Sequence, residues 1–375
     1  MHWFMKDRLM NSKMKIIPIF VPHVGCPNDC VFCNQRKITG KGEVKVNSQY
    51  AIEIVEEYRK TISENTYTEL AFFGGSFTAI DLNLQEELLK VGKHYKDLGV
   101  VQSIRMSTRP DAINENILNL QKKYGVDIIE LGIQSLNDEV LKKSNRGHTK
   151  QHSINASKLI KQYNFTLGHQ IMPGLPGSTK ENDIQTCVES ISMKPDIVRI
   201  YPTLTIKDTE LELMYECGMY KPLSLQEAVD VTALIYSMYM KNNINVIRIG
   251  LQNTESINET EDVIAGPFHP AFRQLVEEKI YLNAIINILK NKNLQNKLIK
   301  ISTNNKLISN IAGQNKSNII KLKNMFDIKD ISFENCSDEN IIEFYVVNKD
   351  DKNKKDKVGS FLKNEIYSDY IDAIN

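Results

Sequence analysis

The segment "VPHVGCPNDCVFCNQRKITG" (21–40) carries three of the chain's six cysteines, Cys26, Cys30 and Cys33, in the spacing CxxxCxxC. Three thiolates on one short loop can turn towards a common centre. That number is one short of the closed four-ligand shell of a structural zinc. It suits a [4Fe–4S] cube in which protein holds three irons and leaves the fourth open. A zinc knot completed by His23 is the competing reading of the same residues. The other three cysteines are scattered far downstream, and such uneven usage does not look like a secreted disulfide framework.

The position of the loop narrows the choice. Short β-branched or aromatic runs occur at "KIIPIFV" (15–21), "ELAFF" (69–73), "VQSIRMS" (101–107), "DIIELGI" (127–133), "FTLGHQIM" (165–172), "DIVRIY" (196–201) and "INVIRIG" (244–250). Between them lie longer segments with apolar residues at helical spacing, such as "NLQEELLKVGKHYK" and "LQEAVDVTALIYSMYMK". Strands joined by helical crossovers build a parallel sheet. The expected fold class is therefore α/β, as a full or partial (β/α) barrel; an open doubly wound sheet fits the same periodicity. In either architecture the working residues sit on loops after the carboxyl ends of strands. The cysteine loop follows the first strand, and "GGSF" (74–77), "STRPD" (107–111), "QS" (134–135), "PGLPGS" (173–178) and "PTLT" (202–205) follow the next five.

Composition sets the outer bounds. At 375 residues, 41% hydrophobic and 25% charged, the chain has room for a barrel-sized core and a smaller second domain. A net charge of +1 provides no global field for steering onto nucleic acid, so such contacts require a local basic patch. The sequence contains neither an apolar run long enough to span a bilayer nor a signal-type N-terminus, so a cytoplasmic protein without membrane partners is expected. Residues 1–14 read as a ragged start, 15–250 as the core barrel, 251–290 as a helical connection, and 291–375 as a small α+β domain.

Taken together, the cysteine loop and the rim motifs resemble the radical S-adenosylmethionine (SAM) superfamily, across about Lys15 to Arg248. The resemblance implies a partial (β/α)6 TIM-like barrel, with a [4Fe–4S] cluster on Cys26, Cys30 and Cys33 whose open iron is chelated by SAM. One electron, from a donor such as flavodoxin or ferredoxin, would then cleave SAM to a 5′-deoxyadenosyl radical that abstracts hydrogen from substrate. Residue by residue, it places Phe32 near the adenine and the Gly74, Gly75 and Ser76 turn at the SAM amino group. Ser76 stands where relatives carry an acidic residue, so backbone carbonyls would make that contact. Ser107 occupies the third-strand slot often held by glutamate. Gln134 would reach the ribose or carboxylate, Arg146 would pair with the carboxylate through its bidentate fork, and Gln170 and Met172 would lie near ribose and adenine. His148 and His169 are lone histidines at a loop and a strand, positions that more often serve structure than acid–base chemistry.

Within that superfamily, "IRMSTRPDAI", "IELGIQSLNDEVL", "RGHT", "QIMPGLPG" and "VRIYPTLTIKDTELELMYECGMYKPLS" look most like the radical SAM half of the Elongator catalytic subunit, which modifies wobble uridines of tRNA. The region after the helical "RQLVEEKIYLNAIINIL" is too short for the acetyltransferase domain of such proteins, so a stand-alone bacterial relative is expected. That tail is rich in lysine and asparagine, lacks arginine from Lys290 on, and shows a β-α-α-β rhythm. Its "IAGQNKSNIIKL" (311–322) resembles the GxxG core of a KH RNA-binding domain, with Gly313 kept and Lys316 in place of the second glycine. On that match Lys316, Lys321 and Lys323 contact RNA phosphates; a simple capping domain is the alternative. "NKDDKNKKDK" (348–357) reads as a solvated loop. Three functions follow: a radical SAM enzyme on tRNA or another RNA, one on a small molecule or protein, or a zinc-stabilised RNA-binding protein without catalysis.

Overall fold

The structure is a computed structural model that describes residues 14–21, 29–33, 46–63, 65–251, 262–347 and 355–373. Cys26, His23, the expected ragged start before Met14 and most of the 348–357 loop lie outside the described residues. The chain divides into two compact units: 1–223 with 251–268, and 224–250 with 269–375.

The first unit alternates strand and helix: β1 (Met14–Val21), α1 (Ser48–Arg59), β2 (Tyr67–Gly74), α2 (Leu82–Asp97), β3 (Ser103–Thr108), α3 (Glu115–Lys123), β4 (Ile128–Gln134), α4 (Asp138–Lys143), α5 (Lys150–Gln162), β5 (Thr166–Ile171), α6 (Lys180–Ser192) and β6 (Ile197–Ile200). Each helix starts at a side chain built for the task. Asn47, Asp81, Asn114, Asn137, Thr149 and Thr179 each accept a backbone N–H of the first turn.

All five strand pairings from β1 to β6 are parallel and join consecutive strands. A doubly wound sheet would reverse its order at a switch point; this one never does. The order settles what periodicity left open, in favour of the partial barrel.

The register then assigns every side chain to a face. Ile17, Leu70, Phe72, Ile104, Met106, Ile129, Leu131, Leu167 and Ile200 share the helix-covered face and are fully buried. The other face carries Glu69, Arg105, Ser107, Glu130, Gly132, Gly168, Gln170 and Arg199. Here Ser107 is opposite Glu130, Glu130 opposite Gly168, and Gln170 opposite Arg199. This second face is the interior of the half-barrel.

The second unit holds two long helices, Leu225–Lys241 and Phe272–Leu289, and a four-stranded sheet. Strand Leu298–Thr303 pairs in parallel with Asp330–Asn335 and antiparallel with Ile341–Val347, which pairs with Lys355–Leu362. Helices Ile308–Ala312 and Ser317–Phe326 connect the parallel pair, so the β-α-α-β rhythm is present. Ile299, Ile301, Ile311, Leu322 and Phe344 are its buried core. No helix among the described residues is long and apolar enough to cross a membrane.

Candidate active site

The site begins at a distortion in β4. Its register slips between Gly132 and Gln134, and Gln134 sits in the left-handed region at φ 61°, a conformation that costs a non-glycine residue about 1 kcal/mol or more. The bulge re-aims a side chain at the strand's carboxyl end. Gly132 makes room for what gathers there. A Cβ at this position would lie 2.8 Å from Arg146 Nη2 and 2.9 Å from Gln134 Nε2.

Arg146 follows α4 and is buried. Its Nη2 donates to the Gly132 carbonyl at 2.8 Å, and its Nη1 lies 3.3 Å from the Sγ of Cys30. The cysteine loop is fastened to the same segment: Val31 N–H donates to Ser144 O (3.2 Å) and Asn145 Nδ2 to Asp29 O (2.7 Å). On its other side Leu211 N–H donates to Val31 O at 2.8 Å. Arg109, fully buried and paired with Asp111, donates to the Arg146 carbonyl at 2.6 Å. Three elements therefore fix the guanidinium beside the thiol.

The remaining sequence-derived residues converge on the same rim. Gln170 Nε2 donates to Gln134 Oε1 at 3.3 Å. Phe32 packs against the Val140, Met172 and Leu175 cluster on one side and the Val31, Leu211 and Tyr220 cluster on the other. It is an anchor for the cysteine loop, whatever else it contacts. The Gly74 and Gly75 turn has a reason independent of any ligand. Gly74 has φ 104°, a Cβ there would stand 2.6 Å from Val21 O, and Gly75 N–H donates to that oxygen at 2.9 Å. Ser76 is buried at the start of a 3-10 turn, and Ser107 is half-buried on the interior face. The "PGLPGS" loop is tied down by Asp183, which accepts from Gly174 N–H (3.0 Å) and Ser178 Oγ (2.6 Å). Burial outweighs those bonds and pushes its pKa up to about 6.

Below the rim lies a group of charges that sequence reading missed. Arg105 bridges Glu69 (2.6 Å) and Glu130 (2.7 Å), and Glu130 in turn accepts from Arg199. All four residues are buried. Glu130 reaches across β5 because residue 168 is glycine; a Cβ there would be 2.7 Å from Glu130 Cγ. Burial alone would raise the Glu130 pKa, but the guanidiniums of Arg199 and Arg105 overcome it and hold the carboxyl below its ordinary range. Arg199 is pushed upward on balance, burial being outweighed by Glu130 and Tyr201. It stacks over Phe73 at 5.5 Å and donates to Tyr201 Oη at 3.2 Å. The signal was available: one charged residue stands inside each of four strand runs, where an unpaired charge is not tolerated.

The two histidines stand away from this chemistry. His169 points to the helix side, its ring nitrogens bonded to Ser157 Oγ (2.9 Å) and Ser190 Oγ (2.8 Å). Burial lowers its pKa to about 3. His148 contacts the Ile133 carbonyl at 3.3 Å, and burial together with Arg146 brings it to about 3 as well. Both are neutral structural groups.

In the second unit, Gly313 and Lys316 end the loop between the two short helices, at φ 76° and 60°. Lys316 thus occupies a left-handed position that glycine would hold without strain. Lys316 and Lys321 are exposed, while Lys323 is tied to Asp330 at 3.1 Å.

The residues present fit an iron–sulfur cluster and its ligand. Cys30 and Cys33 lie on one turn, closed by Cys33 N–H to Cys30 O at 2.9 Å, with a fixed cation beside Cys30. Arg146 Nε is buried without a hydrogen-bond partner among the described residues, as expected of a group meant to receive an acceptor. The described residues alone assemble no set of three metal-ligating side chains.

Comparison with known proteins agrees with this geometry. Residues 20–188 match the family described as the Radical SAM superfamily, and residues 195–281 its C-terminal domain. Over 207 residues the chain is 32% identical to the tRNA uridine(34) acetyltransferase of Methanocaldococcus jannaschii, an alignment covering 50% of this chain and 38% of that protein. It is 29% identical to Elongator complex protein 3 of Saccharomyces cerevisiae, covering 50% of this chain and 32% of that one. The chain thus spans about a third of the length of these relatives. Among solved structures, the archaeal Elp3 of Methanocaldococcus infernus with its N-terminus deleted superposes with a TM-score of 0.57 at 24% identity, over 72% of this chain and 63% of that chain. That likeness establishes the shared fold.

Proposed function

The chain belongs to the radical SAM superfamily, and from that premise we propose that it binds a [4Fe–4S] cluster through Cys26, Cys30 and Cys33, binds SAM across the adjoining rim, and acts on tRNA. When bound, the two cofactors supply a 5′-deoxyadenosyl radical for hydrogen abstraction. The observation that carries the reading is the fastening of the cysteine loop to Ser144, Asn145 and Arg146, with Arg146 in turn bonded to Gly132 at the carboxyl end of β4.

The chain's own residues divide the work. Arg146 offers its fork to the SAM carboxylate, and the backbone of Gly74, Gly75 and Ser76 faces the amino group. Gln134 and Gln170 hold the ribose, with Ser107 beside them on the interior face. Phe32 and Met172 flank the adenine. Beneath them the Glu69, Arg105, Glu130 and Arg199 ladder closes the bottom of the chamber. Its charges neutralise one another, so it excludes water without imposing a net field on the reacting atoms. The relative named tRNA uridine(34) acetyltransferase supports tRNA as the substrate, and a flavodoxin or ferredoxin serves as electron donor.

The test is anaerobic reconstitution with iron and sulfide, followed by SAM, reductant and total tRNA. The expected protein is brown, carries about four irons per chain, and forms 5′-deoxyadenosine faster with tRNA. Cys33→Ala should lose both colour and product. A colourless zinc protein would overturn the cofactor assignment, and product formation indifferent to tRNA would overturn the substrate.

A further inference from the structure

Charge in this chain is nearly balanced overall, yet one stretch of the second unit is not. Residues 290–329 contain nine lysines against a single acidic residue, Asp327. Lys306 pairs with Glu339 and Lys323 with Asp330; the other seven form no ion pair with the described residues. The fold gathers several of them. Lys329 N–H donates to Lys297 O at 2.9 Å, bringing the two lysines together where the parallel strands begin. Lys323 binds Asp330 directly, and Lys316 is close enough to add to the lowering of that carboxyl. Lys321 is exposed on the same helix, Ser317–Phe326. Elsewhere in the unit Lys355 and Lys357 are neutralised by Glu334 and Glu343, both at 2.6 Å.

We propose that the surface formed by Lys297, Lys316, Lys321 and Lys329 is a docking face for the phosphate backbone of RNA. The proposal deepens the tRNA reading above and rests on it. The cations are all lysine, which serves phosphate as a point charge. The face therefore anchors RNA without selecting sequence, leaving selection to the chamber. A membrane is the weaker match. Ile320 and Met325 are exposed on the helix, but Ile319 and Leu322 are committed to the unit's own core, which leaves too little apolar area to enter a bilayer.

Binding of total tRNA by the full chain, measured by filter retention across a salt series, tests this without cluster or SAM. For wild type, log K against log salt should fall with a slope of about −3 or steeper. Lys297→Gln/Lys321→Gln/Lys329→Gln should weaken binding on the order of a hundredfold at 0.1 M salt and make the slope shallower by about 2 to 3. Lys355→Gln/Lys357→Gln should bind as wild type. A flat wild-type salt dependence, an unchanged triple variant, equal loss in the control pair, or stronger retention on phosphatidylglycerol vesicles than on tRNA would each overturn the proposal. The triple variant should still form 5′-deoxyadenosine in the absence of tRNA. Failure of the wild type to form it at all would count against the enzymatic reading while leaving the binding result to stand.

Discussion

The two faces of the same six strands carry opposite chemistries. Towards the helices the sheet presents branched and aromatic residues with essentially no exposure, and the ionisable groups there are held locally: Lys15 donates to Thr61 Oγ1, and His169 is neutral between two serines. Towards the interior it presents two carboxylates and two guanidiniums in alternation, with glutamines and a tyrosine above them. A closed barrel fills its interior with packed apolar layers; here charges take that place. The first face holds the sheet together by removing apolar area from water. The second gives up part of that gain to keep a polar chamber with a rigid floor.

The sharpest way to break this contrast is to unbalance the floor. Glu130→Ala would leave Arg199 buried with no carboxylate, while Arg105 keeps Glu69. Removing one member of such a network costs about 3–5 kcal/mol, so urea unfolding should show a larger loss than truncation of a core or rim side chain. On the other face, Leu131→Ala removes a fully buried side chain one residue away and should cost about 3 kcal/mol. The two variants are expected to differ in salt response. Added salt should leave the Leu131→Ala deficit unchanged. A Leu131→Ala deficit much larger than that of Glu130→Ala would mean the ladder is solvated and not a floor.

Acid separates the faces more gently. His148 and His169 titrate near 3 when folded and near 6.5 when unfolded. Below pH 6.5 the unfolded chain therefore binds the extra protons, and stability falls with falling pH by about 1.4 kcal/mol per pH unit for each histidine. Asp183 has the opposite sign. Its folded pKa of about 6 lies above the unfolded 3.8, so the folded state binds the extra proton between those values and cancels one histidine. For these three groups together the expectation between pH 4 and 6 is a loss of about 1.4 kcal/mol per pH unit. His169→Asn should flatten that slope, and a slope left intact would place the acid-sensitive group elsewhere.

What was legible beforehand follows from the same contrast. The strands and the rim loops could be read from β-runs followed by glycine, proline or polar loops, because each is a local feature, whereas Gln134, Arg146, Gln170 and Phe32 were singled out by the family resemblance. Sheet order could not, since periodicity reports burial within a strand and not which strand lies beside it. The ladder was missed for a related reason. Glu69, Arg105, Glu130 and Arg199 lie as far as 130 residues apart in the chain, and only the register and the absent side chain of Gly168 bring them together.

The smallest expected effect on folding is the most informative about function. Gln170 shares the interior face with the ladder but lies one layer above it, half-buried, with a single 3.3 Å bond to Gln134. Water can replace that bond in an open chamber, so Gln170→Ala should change stability by no more than about 1 kcal/mol. If the upper layer holds SAM, the same substitution removes a hydrogen bond that the ligand cannot recover, and the SAM dissociation constant should rise about tenfold, for a lost bond of roughly 1.4 kcal/mol. Equilibrium dialysis of the reconstituted protein and urea unfolding of the same sample measure the two quantities side by side. A ladder residue should show the reverse ratio, with stability falling and the rim geometry failing only as a consequence. Should Gln170→Ala destabilise the fold and leave SAM affinity untouched, the upper layer is part of the scaffold, and the ligand lies further out towards the cysteine loop.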